Sequence, residues 1–328
     1  MIISKTPLRI SFFSGGSDMP SFYQKEEGAA FSATIDKYIY VMVHKTPHLG
    51  IKVMYDSIEE VPDVEQMQHL ITKESLKYFN YNKELTVASI SDILSKGSGL
   101  GSSSAFTVGL INALSNYKWN MATPKFLADI ACQIEMDKCG YPVGKQDQYA
   151  AAFGGFNLFK FMTNGEVQNN RLELDHGIIS KLEERILLVY SGKGRSANQI
   201  LQKQQQAMED KTKFNLVKRG RDKAYLAYKY LQYGDLDSFG NLLHESWMDK
   251  KNVVKEITQD YFDMIYKKAL TSGAIGGKLL GAGGGGFFIF YVPVEKKQEV
   301  IQSITAGTEC KVYDFKFINR GSHITTVD

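Results

Sequence analysis

The chain has 328 residues, longer than one average domain, so two domains in one compact unit is the leading expectation. With 43% hydrophobic and 23% charged residues it carries enough apolar material for a sizeable core, which excludes a disordered chain. The formal net charge is only +3 and no basic stripe stands out, which argues against a dedicated nucleic-acid binder.

In chain order, the first part is strand-rich. Ile2 to Phe13, Ala29 to Asp36, Tyr38 to Lys45 and Ile51 to Tyr55 are short, β-branched and aromatic. A helix is predicted over Val64 to Tyr78, then a strand over Leu85 to Ile90. A helix over Ser103 to Tyr117 puts Phe106, Leu110, Ile111 and Leu114 on one stripe. Pro124 opens another, with Leu127, Ile130, Ala131 and Ile134 on its apolar face. Strands follow at Phe156 to Phe161 and Arg171 to Leu174, and a soft boundary is placed near Leu182 to Glu184, dividing the chain into residues 1–183 and 184–328.

The second part has a strand at Ile186 to Tyr190, a Gln-rich helix over Ala197 to Met208, and a long helix over Lys213 to Tyr233 ended by Gly234. Helices over Asp237 to Lys250 and Gln259 to Ser272 precede a strand, a glycine-rich turn and a second strand, Phe287 to Val292. A helix over Glu295 to Thr305 and a strand over Lys311 to Ile318 close the chain. That ending suits an α+β layer with helices on one face of an antiparallel sheet.

Cys132, Cys139 and Cys310 form no CxxC pair and no even-numbered framework, so they are expected to be reduced thiols of a cytoplasmic protein. The start of the chain lacks the apolar core of a signal peptide, and Phe287 to Val292 is far shorter than the roughly 20 residues that cross a bilayer; membrane insertion is not expected. His44 and His48 sit in strand context near Pro47 and read as ordinary histidines rather than metal ligands. Tyr225, Tyr228, Tyr230 and Tyr233 read as packing, and Lys218, Arg219, Arg221 and Lys223 as a solvated helix face.

Glycine is the informative residue. About half of the 29 glycines fall in a few short clusters, as close approach of backbone to a ligand requires. In the run from Lys96 to Ala105 three glycines alternate, three serines follow, and an amphipathic helix begins at once. Free N–H groups at a helix start, with the helix dipole behind them, make an anion site; the serines add donors or a ligand for Mg²⁺. A flexible turn with a Ser N-cap is the alternative. The run lacks the GK[ST] ending of a Walker A loop, Gly273 to Leu279 is one residue too short for one, and neither GxGxxG nor protein-kinase HRD and DFG signatures occur.

The run Gly97 to Ala105 resembles the second signature of the GHMP kinases (galactokinase, homoserine kinase, mevalonate kinase, phosphomevalonate kinase). Pro7 to Asp18 is similar to the N-terminal substrate motif of that family and Lys278 to Phe287 to its C-terminal glycine motif; with the segment around Asp147, the match spans nearly the whole chain. The resemblance implies an α+β, two-domain fold: an N-terminal mixed α/β domain of ribosomal-protein type and a C-terminal ferredoxin-like α+β domain. It implies ATP held by Lys96, Gly97, Ser98, Gly99, Leu100, Gly101, Ser102, Ser103 and Ser104, and Mg²⁺ held by Ser103 and Glu135. It makes Asp147 the catalytic aspartate that accepts or polarises the acceptor hydroxyl proton, with Arg9 as the cation set against it. From the residues alone, Glu135 shares the buried edge of its helix, where a carboxylate needs a metal or a lysine partner, and Asp147 could also be an ordinary N-cap.

For the acceptor, the resemblance implies contacts from Gly15, Gly16, Ser17 and Asp18 and from Gly283 and Gly284. Galactokinases carry Glu-His where this chain has Gly15-Gly16, which puts galactose in doubt. Four phrases, around Ser11, Asp36, Asp147 and Gly283, most resemble the D-glycero-D-manno-heptose 7-phosphate kinases, which phosphorylate the anomeric hydroxyl on the route to GDP-heptose for surface polysaccharide. Ser14 stands where those enzymes typically have glycine. An acceptor that already bears a phosphate needs cations, and Lys193 and Arg195, then Lys145, are the candidates. Two alternatives stay open: another sugar 1-kinase acting on fucose, a uronic acid or an amino sugar, and a catalytically silent sugar sensor. The expected partners are a sugar phosphate and ATP, with a homodimer left open and neither nucleic acid nor membrane involved.

Overall fold

The computed structural model describes residues 1–47, 50–93, 97–119, 122–194 and 197–325. The chain opens with β1 (Ile2–Phe13), a short α1 (Pro20–Tyr23) and the long β2 (Gly28–Lys45), followed by β3 (Ile51–Met54), β4 (Ile58–Val61), α2 (Leu70–Tyr78) and β5 (Leu85–Ser91). Next come α3 (Ser102–Trp119), α4 (Pro124–Cys132), a π-helical turn at Gln133–Lys138, α5 (Gln146–Phe153), β6 (Phe156–Phe161), β7 (Val167–Leu172) and α6 (His176–Arg185). The remainder is β8 (Ile186–Tyr190), α7 (Asn198–Ala207), α8 (Lys211–Gln232), α9 (Leu236–Lys251), α10 (Asp260–Thr271), β9 (Gly276–Leu279), β10 (Phe287–Tyr291), α11 (Lys297–Thr305), β11 (Lys311–Tyr313) and β12 (His323–Thr325).

Two sheets organise these elements. The first runs β12-β1-β2-β5-β3-β4, with the β6–β7 hairpin branching from β2. The second is antiparallel, in the order β11-β8-β10-β9. With helices between β8 and β9 and between β10 and β11, that order is the ferredoxin-like arrangement. The two sheets share one core: Phe12 and Phe13 of β1 each meet the Phe239 ring of α9 edge-on, with centroids 5.3 Å apart, and all three are fully buried.

Several elements depart from the sequence expectation. The two strands expected over 29–45 are one. A register shift leaves Asp36 and Lys37 unpaired with β1, and the bend lets β2 pair β6 with its first half and β5 with its second. The helix expected from Val64 starts properly only at Leu70, where the His69 ring accepts from Thr72 N–H as an N-cap; a 3₁₀ turn holds Val64–Gln66. The strand expected over 171–174 is the second half of the β6–β7 hairpin, and α6 after it was not expected; the soft boundary at 182–184 falls in the last turn of α6, which feeds directly into β8.

The strand expected over 311–318 is β11 and ends at Tyr313. The chain then crosses back, bridges Ile35 through Phe317 and adds β12 to β1, so the end of the 184–328 segment lies in the first sheet. The charged face of α8 is an ion-paired clasp rather than simply solvated. Arg221 and Lys218 bind Glu26, and Arg219 and Lys223 bind Asp249 of α9. His44 is exposed and His48 lies outside the described residues.

Candidate active site

The loop between β5 and α3 is shaped by its glycines. Gly97, Gly99 and Gly101 all have φ between 68° and 77°, a left-handed conformation that L side chains rarely adopt. Gly99 also lies against the C-terminal glycine loop: a Cβ on it would stand 2.7 Å from Leu280 O, and one on Gly281 would stand 2.7 Å from Gly99 Cα. Phe287 N–H donates to Ser98 O (2.9 Å), and Arg9 N–H to Leu100 O (3.0 Å). The first loop is thereby gripped by both sheets. Its exposed side, with the first turn of α3, faces a cavity of about 400 Å³. Of the expected nucleotide contacts, Gly97, Ser98, Gly99, Gly101, Ser102, Ser103 and Ser104 line it. Leu100 is fully buried in the core, and Lys96 lies outside the described residues.

A second cavity of about 730 Å³ adjoins the first and shares Gly97, Ser102 and Ser103 with it. Tyr55, His69, Phe106 and Ile71 line it, and the His69 ring lies between the other two rings at 4.7 and 5.4 Å. The sequence reading missed this cavity because its aromatic residues come from three separate segments and none carries a motif.

Asp147 stands in the first turn of α5, facing the first cavity. Arg9 Nε and Nη2 both donate to its Oδ1, at 2.9 and 2.7 Å, and Arg9 Nη1 donates to Gly99 O at 2.8 Å. One guanidinium thus ties the carboxylate to the glycine loop. Arg9 is 3% exposed and Asp147 27%, so the carboxylate remains reachable while its cation does not. Among the described residues Oδ2 accepts no hydrogen bond.

Glu135 lies in the π-helical turn after α4, a register shift of a kind often found at functional sites. It is 1% exposed. Its Oε2 accepts from Ser104 Oγ (3.0 Å) and Gln148 Nε2 (2.9 Å), while Oε1 is buried without a partner. Burial pushes its carboxyl up to about 7, against the hydroxyl and amide bonds that favour the charged form. The serine beside Glu135 is therefore Ser104, with the Thr107 hydroxyl also acting on the carboxylate; Ser103, expected to share a metal with it, is exposed at the cavity wall. Gln148, one residue after Asp147, was also not anticipated.

Of the residues expected at the acceptor, Gly15, Gly16 and Asp18 line the cavity. Asp18 Oδ1 accepts Gly16 N–H (2.9 Å) and Oδ2 accepts Gln146 N–H (3.3 Å), so this aspartate braces its own loop. Burial, then the Asp147 charge, raise its pKa. Ser14 holds φ 61°, the left-handed conformation suited to the glycine it replaces, and its Oγ meets Ser17 Oγ at 2.7 Å.

Several residues expected at the acceptor are not at the cavity. Ser17 is fully buried and donates to Ala29 O, pinning the loop to β2. Gly284 N–H donates to Ile257 O (2.7 Å), and Gly283 is packed against the same residue. Lys145 Nζ binds Gly165 O and lies 5.2 Å from the Tyr23 ring centre; Lys193 Nζ sits 4.1 Å over the Tyr261 ring. Arg195 lies outside the described residues. A further buried cation, Lys278, donates to Phe12 O (2.8 Å) at the end of β1, and burial holds it well below the ordinary lysine value.

Comparison with known proteins agrees with this arrangement. Residues 68–155 match the GHMP kinases N terminal domain and residues 227–307 the GHMP kinases C terminal domain. The D-glycero-alpha-D-manno-heptose 7-phosphate kinase of Campylobacter jejuni is 31% identical, over 98% of this chain and 97% of that protein. The chain belongs to the GHMP kinases. A crystal structure of a D-glycero-D-manno-heptose 1-phosphate kinase from Bacteroides thetaiotaomicron superposes on this GHMP kinase with a TM-score of 0.81, covering all of both chains at 26% identity. The Lactococcus lactis galactokinase complexed with galactose has the same fold, with a TM-score of 0.76 at 20% identity over 98% of this chain and 94% of that one. The two-domain α+β fold implied by the motifs is that of these structures.

Proposed function

We propose that this GHMP kinase transfers the γ-phosphoryl group of ATP to the anomeric hydroxyl of D-glycero-D-manno-heptose 7-phosphate, giving the 1,7-bisphosphate that a GDP-heptose route for surface polysaccharide consumes, in the cytoplasm. The observation that carries the chemistry is the Arg9–Asp147–Gly99 connection, which sets a reachable carboxylate beside a loop built to hold phosphate oxygens. The triphosphate lies along Gly97–Ser104 at the start of α3, and its base enters the cavity lined by Tyr55, His69 and Phe106. The acceptor oxygen then forms its bond to the γ-phosphorus while the bond to the β,γ-bridging oxygen breaks. Asp147 Oδ2 orients the acceptor hydroxyl and takes its proton, and Arg9, bonded to Oδ1 and to Gly99 O, holds that carboxylate aimed.

Mg²⁺ fits the residues present. Glu135 Oε1 is buried and unpartnered beside serine hydroxyls, a hard-oxygen set. A single carboxylate completed by substrate phosphates is a common way to bind this ion. Glu135 and Ser103 or Ser104 would hold it, and it would neutralise charge on the β- and γ-phosphates.

The heptose reading is supported by the full-length similarity to the Campylobacter jejuni enzyme. The names of the two heptose relatives differ in where the acceptor phosphate sits, so they support a heptose phosphate more firmly than its carbon. One observation favours a free sugar instead. Among the described residues Arg9 is the only lysine or arginine lining the cavity, and it is committed to Asp147 and Gly99. An ATP-consumption screen over sugars and sugar phosphates separates the readings. Turnover with heptose 7-phosphate alone supports the first, turnover with a free sugar the second, and no turnover would leave a sensor.

A further inference from the structure

We infer that Gln204 reads a hydroxyl of the acceptor and so sets which sugar the site takes; this rests on the sugar-kinase reading above. The helix α7 carries five glutamines, and four of them, Gln199, Gln202, Gln205 and Gln206, are exposed. Gln204 is 5% exposed. A buried amide needs partners for both of its ends. The nitrogen has one: Nε2 donates to Ala282 O at 2.9 Å. A carbonyl can only accept, so this bond fixes the amide orientation and leaves Oε1 as an acceptor. That oxygen is turned toward Gly16, 4.0 Å from where a Cβ on that glycine would stand, and among the described residues no donor reaches it. Gln204, Gly16 and Ala282 line the same cavity as Asp147.

The residue whose position suggests sugar binding, Asp18, uses one lone pair of each carboxylate oxygen on a main-chain amide and braces its own loop. Gln204 Oε1 is better suited to reading the acceptor. It is neutral, oriented and uncommitted, and it sits opposite a glycine that leaves room for a ring. Its complement is an O–H donor on a polyol. A site built to bond a hydroxyl rejects the analogue that lacks it, because the protein oxygen is then left buried and unpaired.

The test is a cycle of protein and substrate changes: kcat and KM are measured for wild type, Gln204→Leu and Gln204→Met with heptose 7-phosphate and its monodeoxy analogues. In wild type one analogue should fall about 10-fold or more below the parent in kcat/KM. In both variants the parent should fall by a similar factor, mainly through KM, and that same analogue should lie within about twofold of it. Equal penalties for every analogue in all three proteins would overturn the inference. So would a loss of ATP affinity in both variants, because Gln204 would then be holding the glycine loop through Ala282. If wild type ignores heptose 7-phosphate and turns over another sugar, the heptose reading fails. The same cycle on that sugar's deoxy series then decides Gln204 independently.

Discussion

Replacing Glu135 by glutamine should make the ligand-free protein more stable at pH 8 and leave it unchanged near pH 4. The carboxyl is 1% exposed, with Oε1 unpartnered and the unpartnered Oε1 of Gln148 also buried. Burial raises its pKa from 4.5 to about 7. Between those values the folded protein binds more protons than the unfolded one. The stability of the neutral form is therefore fully present below pH 4.5 and lost as pH rises through 7. At about 1.4 kcal/mol per pH unit, ionising Glu135 costs the fold about 3 kcal/mol above pH 7. A glutamine keeps an oxygen for Ser104 and Gln148, brings an N–H₂ to the orphaned side and has no charge to bury. For 328 residues at about 2.1 cal/mol/K each, 3 kcal/mol corresponds to a Tm gain of about 4 °C. The assay is thermal unfolding of both proteins from pH 4 to pH 9 without nucleotide or metal; Cys132, Cys139 and Tyr141, which feel the Glu135 charge, are all raised by burial above their ordinary values of 9 to 10, so they contribute little to the difference in this range. A Tm difference that does not change with pH, or a less stable variant at pH 8, would refute the argument that this carboxylate is held at a cost. The same variant should need more Mg²⁺ for turnover, read from an activity titration.

Asp147→Asn should keep ATP affinity while lowering kcat at least about 10²-fold, measured by nucleotide titration and steady-state kinetics; near-normal kcat would remove Asp147 from the chemistry. Gly99→Ala forces a Cβ to 2.7 Å from Leu280 O at φ 77° and should lower stability by about 1–3 kcal/mol and raise KM for ATP, seen in denaturant unfolding and kinetics. Lys145→Ala should leave acceptor KM within about twofold, since its ammonium serves Gly165 O and the Tyr23 ring, whereas Arg195→Ala should raise KM for a phosphorylated acceptor.

Much of this molecule follows from local sequence. Alternating glycines define the loop at 97–101 and the start of α3, because left-handed φ and a helix start are properties of a few adjacent residues. The single apolar stripe expected on α3 is not what its described residues show: the helix is buried on nearly every side, Thr107, Asn112 and Ser115 included. The Thr123–Pro124 cap, the buried edge carrying Glu135 and the α8 C-terminus at Gly234 are of the same kind. Side-chain destination is not local. Lys145 and Lys193 look like phosphate anchors in sequence, but Gly165, Tyr23 and Tyr261 draw them elsewhere. Ser103 and Ser104 are equivalent on paper, and only the helical rotation between them, read against Glu135 some thirty residues on, turns Ser104 inward. Gln204 lies in a polar run where nothing marks it until Ala282 and Gly16 close on either side. The strand expected to end the second sheet breaks at Tyr313 because its continuation finds better partners on β1 and Ile35, some 280 to 320 residues earlier in the chain. Short-range steric and hydrogen-bonding rules thus specify the elements and the glycine loop, while the side chains that line the cavity depend on contacts between segments far apart in the chain.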